Sequence, residues 1–117
     1  VTKYTDNAGD ANNTSDVVTA TTDYLFFLAE FEVQGARSYA NRYEQNYQEQ
    51  YDYYKAGNST VKYRHDATGT SVRHWCRSAY YGDSFDFCIV NASGKLGGKS
   101  GTTIASFSCG LAPGFCV

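Results

Sequence analysis

The sequence predicts a single α+β domain, in which one helix precedes a run of antiparallel strands. Two observations support this prediction. The chain has 117 residues, of which 42% are hydrophobic and 19% are charged, so it can fold around one core. A helical repeat of tyrosines over residues 41–56 is followed, from residue 59 onwards, by short segments of alternating polarity.

The N-terminal residues 1–22 are polar and show no helical period. We predict an extended arm or loop that begins with a short strand over residues 1–5. Oxygen-bearing side chains recur there at every second position: Asp10, Asn12, Thr14 and Asp16. Such oxygens can bind calcium, but the glycine and glutamate of a helix-loop-helix calcium loop are missing, which favours a solvated loop. The folded domain is predicted to span residues 23–117.

Residues 23–29 form a continuous apolar run of strand length, which predicts a strand buried on both faces. The chain then turns away over residues 30–35 and stops at Gly35. Glu30 and Glu32 lie in this turn, and we interpret them as a carboxylate pair of ordinary surface spacing.

Residues 41–56 carry the one clear helical pattern, with Asn41 as the predicted N-cap and Gly57 as the stop. Its tyrosines recur on one face: Tyr43, Tyr47, Tyr51 and Tyr54. A tyrosine stripe can bind sugar rings, but a packing face is the favoured interpretation.

The rest of the chain is predicted to form strands over 59–64, 71–78, 85–90, 104–109 and 111–117. Residues 91–94 are a predicted tight turn, and 95–103 a Gly-rich open segment. The predicted core comprises Leu25, Phe26, Phe27, Leu28, Val72, Trp75, Phe87, Ile89, Leu111 and Phe115. We predict a structural role for Arg77, because its forked guanidinium group suits a backbone carbonyl or a carboxylate as a hydrogen-bond partner.

Charge and hydropathy exclude several classes of partner. The formal net charge of −2 argues against a nucleic-acid partner. The longest apolar run, within residues 24–29, is too short to insert into a membrane.

The cysteines are Cys76, Cys88, Cys109 and Cys116. Two disulfides in three connectivities are one interpretation, and buried reduced thiols are the slightly favoured one. No CxxC pair occurs, which argues against a zinc knuckle.

No catalytic motif stands out. The two histidines, His65 and His74, are nine residues apart, and the sequence has neither a GxSxG elbow nor a phosphate loop. We therefore expect no enzyme, no catalytic residue, no cofactor and no metal site.

A loop region rich in tyrosine and small polar residues is the predicted ligand-binding site. Tyrosine offers a rigid contact area, while Ser, Asn and Asp offer adaptable hydrogen bonds. Turns are also rich in these small residues for structural reasons, but two adjacent tyrosines favour binding. The candidate residues are Tyr80, Tyr81, Asp83, Ser84, Asp86, Asn91, Ser93 and Lys95.

Several segments, in order, carry a family resemblance over about residues 20–117. They are W-C-R-S at 75–78, F-C-I-V at 87–90 with Gly94, G-L-A-P-G-F-C-V at 110–117, D-Y-L-F-F-L-A-E-F-E-V-Q-G at 23–35 and Q-Y-D-Y-Y-K at 50–55. They resemble a family of uncharacterised C-type-lectin-like domains of gut bacteria and their phages. That family is related in fold to the variable proteins of diversity-generating retroelements and to formylglycine-generating enzymes.

The sequence departs from the family pattern in two ways. Ala79 replaces the usual proline after Arg-Ser. Family members also carry a segment ahead of the 23–29 strand, so the resemblance implies a minimal domain or one lacking its N-terminal portion, which a companion chain supplies or which was removed. If it was removed, apolar surface near residues 25–28 should be exposed or covered by a partner.

The resemblance implies a scaffold that displays a loop face for recognition. The calcium-dependent sugar motifs of C-type lectins, Glu-Pro-Asn, Gln-Pro-Asp and Trp-Asn-Asp, do not occur. In retroelement targets the diversified positions cluster in the C-terminal part of the fold, and residues 78–93 are rich in the amino acids that such diversification produces.

Three functional hypotheses follow. The first is an adhesion module of a phage tail or cell surface, located on a virion or outside the cell, whose partner is a surface protein or glycan of a host or neighbouring cell. The second is a structural domain that decorates a virion or cell-surface assembly, with self-association through the loops. The third is a copper- or thiol-dependent oxidase, for which Cys109 and Cys116 are the nearby pair.

Overall fold

The architecture is that of a computed structural model that describes residues 2–4, 18–20, 22–46, 48–66, 68–82, 86–96, 102–104 and 106–115. The strands are β1 (Thr2–Tyr4), β2 (Val18–Ala20), β3 (Leu25–Phe27), β4 (Lys62–Tyr63), β5 (Ser71–Val72), β6 (His74–Ala79), β7 (Asp86–Val90), β8 (Thr102–Ile104) and β9 (Pro113–Phe115). The helical elements are α1 (Glu30–Gln34), a 3₁₀ turn (Glu44–Asn46) and α2 (Asp52–Lys55).

The strands form four small antiparallel sheets. The pairs are β1 with β2, β3 with β9 and β4 with β5, and the largest sheet has the order β6-β7-β8. The α+β class predicted from the sequence is therefore confirmed, together with the strands near residues 71–78 and 85–90. The predicted strand at 104–109 is wrong, because β8 ends at Ile104 and the chain turns back there through a bond from Phe107 N–H to Ile104 O (3.0 Å).

Residues 23–35, predicted to be a buried strand followed by a turn, instead form a short strand and a helix. β3 covers only Leu25–Phe27, and Leu25 is 67% exposed, so the prediction of a strand buried on both faces is wrong. At the start of α1 the Glu32 carboxylate accepts the N–H of Ala29 at 2.7 Å, which caps the helix. Gly35 ends it at φ +70°, donating its N–H to Phe31 O.

The predicted helix over residues 41–56 does not form. Asn41 Oδ1 accepts the N–H of Tyr43 at 2.9 Å and caps only the 3₁₀ turn. Further on, Tyr51 N–H donates to Glu32 O (3.0 Å) and the Gln50 side chain donates to Val33 O (3.1 Å). These bonds hold residues 50–51 against α1, so among the described residues of this range the helical pieces are the 3₁₀ turn and α2.

The predicted tyrosine face is consequently absent. Tyr43 and Tyr54 are half-buried and Tyr51 is 37% exposed, on separate elements, while Tyr47 lies outside the described residues. Gly57 does follow α2, at φ +86°.

The buried core is built from small side chains rather than from the predicted aromatic ones. Of the predicted core, Ile89 is buried, whereas Leu25 and Leu111 are each 67% exposed and Phe115 has no described side chain. Phe27 and Phe87 are each 36% exposed, and the Trp75 ring stands edge-on to Phe87. The buried apolar residues are Ala29, Val33, Ala40, Cys76, Cys88, Ile89 and Val90.

The alternation of side chains along β6 explains which face of this strand is buried. His74, Cys76 and Ser78 of β6 are buried, and α1 covers this face. Trp75 and Arg77 lie on the other face, where they are half-buried. The predicted alternation along this strand is confirmed, but the core lies on the side with the smaller residues.

Cys76 and Cys88 are buried, Cys109 is half-buried, and none of the three is in a disulfide bond. Burial raises the pKa of the Cys76 and Cys109 thiols, which keeps both protonated. The interpretation as buried reduced thiols holds for Cys76 and Cys88, and Cys116 lies outside the described residues.

Glu30 is fully buried, so its interpretation as a surface carboxylate is wrong. Its carboxylate accepts three successive backbone N–H groups, from Ser38 (3.0 Å), Tyr39 (2.9 Å) and Ala40 (2.7 Å). Burial raises the pKa of Glu30, and these hydrogen bonds oppose the rise. The carboxylate therefore fixes the path of residues 38–40.

Ser78 connects the backbone of Glu30 to the buried carboxylate of Glu44 on the same face of β6. Its Oγ accepts the N–H of Glu30 at 2.9 Å and donates to Glu44 Oε1 at 2.6 Å. Burial raises the pKa of Glu44 to about 7, with the negative charge of Glu30 adding to the rise and the Ser78 hydrogen bond opposing it.

Arg77 ties β6 to the β3–α1 corner, in the structural role predicted for it. Its guanidinium donates to Phe27 O at 2.6 Å and to Glu32 Oε1 at 2.9 Å, while its backbone N–H donates to Leu28 O. Glu32 is 9% exposed, so this ion pair is largely shielded from water, and Glu32 is not a surface residue either.

Replacing Glu44 with Gln should flatten the pH dependence of stability. The native state raises the pKa of this carboxyl from 4.5 to about 7, so it binds the proton more tightly than the unfolded chain does. The free energy of unfolding should therefore fall as the pH rises between these values, by on the order of 1–3 kcal/mol. Urea unfolding from pH 5 to 8 measures the slope, and Glu49→Gln at an exposed position is the control. Equal slopes for the Glu44→Gln variant and the native sequence would contradict the assignment.

Replacing Glu30 with Gln should destabilise the domain strongly. One carboxylate oxygen becomes an NH₂ group that faces the N–H groups of residues 38–40, so buried donors lose their acceptor. We expect a loss on the order of 3 kcal/mol. Urea unfolding at pH 7 tests this, with Glu49→Gln again as the control, and a change below about 0.5 kcal/mol, the usual range of a surface substitution, would be inconsistent with this role.

Candidate functional site

The loop after β6 is fixed by backbone hydrogen bonds on both sides. Tyr80 N–H donates to Asp86 O at 3.0 Å, at the start of β7, and Tyr80 also forms an antiparallel bridge with Ala40. Tyr81 N–H donates to Tyr39 O at 2.9 Å. Because Glu30 holds residues 38–40, the buried carboxylate also sets the position of the two loop tyrosines.

Four half-buried side chains meet at this place: Arg37, Tyr39, Tyr80 and Tyr81. The ring centroids of Tyr39 and Tyr80 are 6.3 Å apart, and those of Tyr80 and Tyr81 are 5.1 Å apart in an edge-to-face arrangement. The Arg37 guanidinium lies 5.3 Å from the centroid of the Tyr81 ring. We call these four residues the tyrosine surface.

Electrostatics and packing hold the tyrosine surface in one conformation. Edge-to-face rings and a cation over a ring face are each worth roughly 0.5–1.5 kcal/mol beyond the area they bury. A Cβ at Gly82 would come within 2.5 Å of the Tyr80 ring, so any other residue there would require the ring to move. The Arg37 Nε atom is buried and has no hydrogen-bond partner within the described part of the chain.

The tyrosine surface offers ring edges, phenol groups and one guanidinium, without a nucleophile and base side by side. Such a combination suits non-covalent contact with a sugar ring, a peptide or a planar group. Tyr80 and Tyr81 were predicted from the sequence. Arg37 and Tyr39 were missed, because no local pattern links residues some forty positions earlier to the β6 loop.

Asp86 adjoins the tyrosine surface through its backbone. Its carbonyl accepts from Tyr80, and its carboxylate accepts from the Thr102 hydroxyl at 3.3 Å, so it connects the loop to β8. Asp83 and Ser84, which the sequence also proposes, lie outside the described residues.

The remaining predicted residues form a separate turn at the far end of β7. Asn91 Oδ1 accepts from the N–H and hydroxyl of Ser93 (2.9 and 2.6 Å) and from the N–H of Lys95 (3.1 Å). The predicted tight turn is thus confirmed, with Gly94 at φ +82°. β7 separates Asn91 from the tyrosine surface by about 15 Å at the usual strand rise, so the predicted site residues do not form one continuous surface.

The two histidines differ in burial. His74 is buried, and burial together with the Lys62 charge lowers the pKa of His74 to about 4, whereas His65 is exposed. No group of three or more His, Cys, Asp or Glu residues that could bind a metal occurs within the described ranges. No helix in the described part of the chain is long and apolar enough to cross a membrane.

Comparison with curated proteins and with solved structures gave no significant match. A family model described as "Domain of unknown function (DUF6273)" matches residues 2–117. Since this match extends over nearly the whole chain, the protein belongs to the DUF6273 family of domains.

Proposed function

We propose that this domain is a non-catalytic recognition module of C-type-lectin-like fold that binds its ligand through the tyrosine surface. The observation that supports this most is the contact of Arg37, Tyr39, Tyr80 and Tyr81 on two loops that a buried carboxylate fixes. Tyrosine and arginine are the residue types that dominate binding energy at protein surfaces.

Preorganisation is the physical reason for choosing this surface. A tyrosine has two side-chain torsions, so it loses little entropy on binding, and here its backbone is already held by hydrogen bonds. The binding energy of the rings is then available for the ligand instead of being used to order the loops.

In this proposal the ligand is a protein or glycan on the surface of a host or neighbouring cell. The resemblance to phage and gut bacterial C-type-lectin-like domains supports a place on a virion, such as a phage tail, or on a cell surface. The relation to retroelement variable proteins further supports diversification of the loop around Tyr80 and Tyr81.

Alanine at Tyr81, alone or with Arg37→Ala, should weaken adhesion without unfolding the domain. A central tyrosine is worth roughly 2 kcal/mol, which corresponds to a change in Kd of about 30-fold. Binding of the labelled full chain to an array of bacterial surface glycans and to intact gut bacterial cells would be measured, with circular dichroism to check the fold. Phe107→Ala, which removes an aromatic ring that is 53% exposed and belongs to neither proposed surface, is the control. Adhesion of native strength in both variants would rule out this surface.

A second candidate, a structural domain that assembles with itself or with a companion chain, is favoured by exposed apolar side chains. Tyr24 is 89% exposed and Leu25 67%. Phe27, two residues after Leu25 on β3, lines an apolar groove of about 280 Å³ together with Trp75 and Phe87. The apolar surface expected near residues 25–28 is thus exposed in part.

Leu25→Ser discriminates between the two functions. Light scattering over a range of concentrations would measure the molar mass of the native chain and of the variant. If assembly is the function, the native chain should form oligomers, and Leu25→Ser should dissociate them. A monomeric native chain, or oligomers unaffected by Leu25→Ser, would count against assembly through this groove.

A further inference from the structure

A second concave region lies at the opposite end of β6 from the tyrosine surface. The β4–β5 hairpin, the first residues of β6 and the segment around Gly110 enclose an open cleft of about 670 Å³. Ligand pockets commonly have volumes of this order. Since β6 spans His74–Ala79, the two regions are separated by about 17 Å along the strand.

The cleft concentrates positive charge in a chain whose formal net charge is −2. Lys62, Arg64 and Arg73 all line it, together with His65, and no aspartate or glutamate does so within the described part of the chain. None of these three cations forms an ion pair with a described residue. Among the described residues, therefore, no ion pair neutralises these charges.

The Arg64 charge acts on the carboxylate of Asp66, but this carboxylate is hydrogen-bonded within its own turn. It accepts the N–H of Thr68 at 3.1 Å and also the Thr68 hydroxyl. Hydrogen bonding to Thr68 lowers the pKa of Asp66, with a smaller contribution from the Arg64 charge. Asp66 is fully exposed and does not line the cleft.

Backbone hydrogen bonds bring the residues that carry these cations to the same cleft. Arg64 N–H donates to Thr70 O at 2.9 Å, which extends the β4–β5 pairing and sets Arg64 two residues beyond Lys62. Gly110 N–H donates to Arg73 O at 2.8 Å, and Gly110 O accepts from Trp75 N–H at 3.1 Å.

Glycine at position 110 allows two backbone segments to pack closely beside the cleft. A Cβ there would come within 3.2 Å of Arg73 O and of Val72 Cγ2. The backbone of the Gly110 segment can therefore lie directly against Arg73, the residue that joins β5 to β6.

The side chains of Lys62 and His74 contribute to the charge and polarity of the cleft. The Lys62 Nζ lies 5.5 Å from the ring centroids of both Tyr53 and Tyr54, which positions the ammonium by cation–π attraction. His74 lies in the wall, is buried, and its Nδ1 has no hydrogen-bond partner among the described residues. It is neutral at pH 7, so it adds a polar nitrogen and no charge.

We infer that this cleft is a binding site for an oxyanion group, namely a sulfate, phosphate or carboxylate carried by a ligand, with Arg64, Arg73 and Lys62 as its contacts. The planar fork of arginine matches two oxygens of such a group, and the lysine supplies a point charge. The site is independent of the tyrosine surface and adds an anionic feature to what the domain can recognise.

The test uses the ¹⁵N-labelled full chain and three probes: sodium sulfate, sodium phosphate and sodium glucuronate. Each is titrated at constant ionic strength, with sodium chloride as the reference. We expect saturable shifts of the Arg64 and Arg73 side-chain Nε–H signals and of the backbone amides at 62–64 and 73–74. The probe that binds most tightly identifies which oxyanion the ligand carries.

Matched variants separate a site from general charge attraction. Arg64→Gln with Arg73→Gln should raise the Kd at least tenfold, whereas Arg42→Gln, which removes an exposed cation over the Tyr43 ring, should leave it unchanged. Tyr81→Ala should also leave it unchanged, because it lies outside the cleft. Shifts that equal those from sodium chloride, or that persist in the double variant, would overturn the proposal.

Discussion

A carboxylate that water does not reach holds three consecutive backbone N–H groups, those of residues 38–40, beside the first helix. A buried charge of this kind is stable only when its oxygens are fully satisfied, so the position of Glu30 and the path of the 38–40 segment determine each other. Ser78 and Glu44 extend the same network to the central strand β6. The fold around the domain's largest sheet is therefore organised by polar bonds as much as by apolar packing.

The network links the core to the surface. Residues 38–40 pair with the loop after β6, so the bonds that satisfy Glu30 also set the positions of Tyr80 and Tyr81. Recognition through these rings would then need little reordering of the backbone at Tyr39, Tyr80 and Tyr81, which favours strong binding by few side chains. At the other end of β6, the Gly110 segment packs against the strand and leaves the cationic cleft open. One rigid strand thus carries two chemically different regions.

The buried apolar side chains between α1 and β6 are small, with Leu28, Tyr39 and Tyr54 packed partly buried against them, whereas Trp75 lies on the other face of β6. Phe27, Trp75 and Phe87 line a groove there. Size and hydrophobicity, on which the sequence prediction of the core relied, rank Trp and Phe first. Which of these side chains are buried depends on how the elements pack against one another, and that is a property of the tertiary structure.

The sequence by itself determined the α+β class, the alternation along β6, the strand at β7, the Asn91–Gly94 turn and the structural role of Arg77. Each depends on neighbours within a few residues, or on the bonding capacity of a single side chain. Only the tertiary structure decided that residues 41–56 break into short pieces, because bonds to Glu32 and Val33 hold residues 50–51 against α1. It also decided that Glu30 is buried and that Arg37 and Tyr39 join Tyr80 and Tyr81. These outcomes depend on contacts between residues distant in sequence, which no local period encodes.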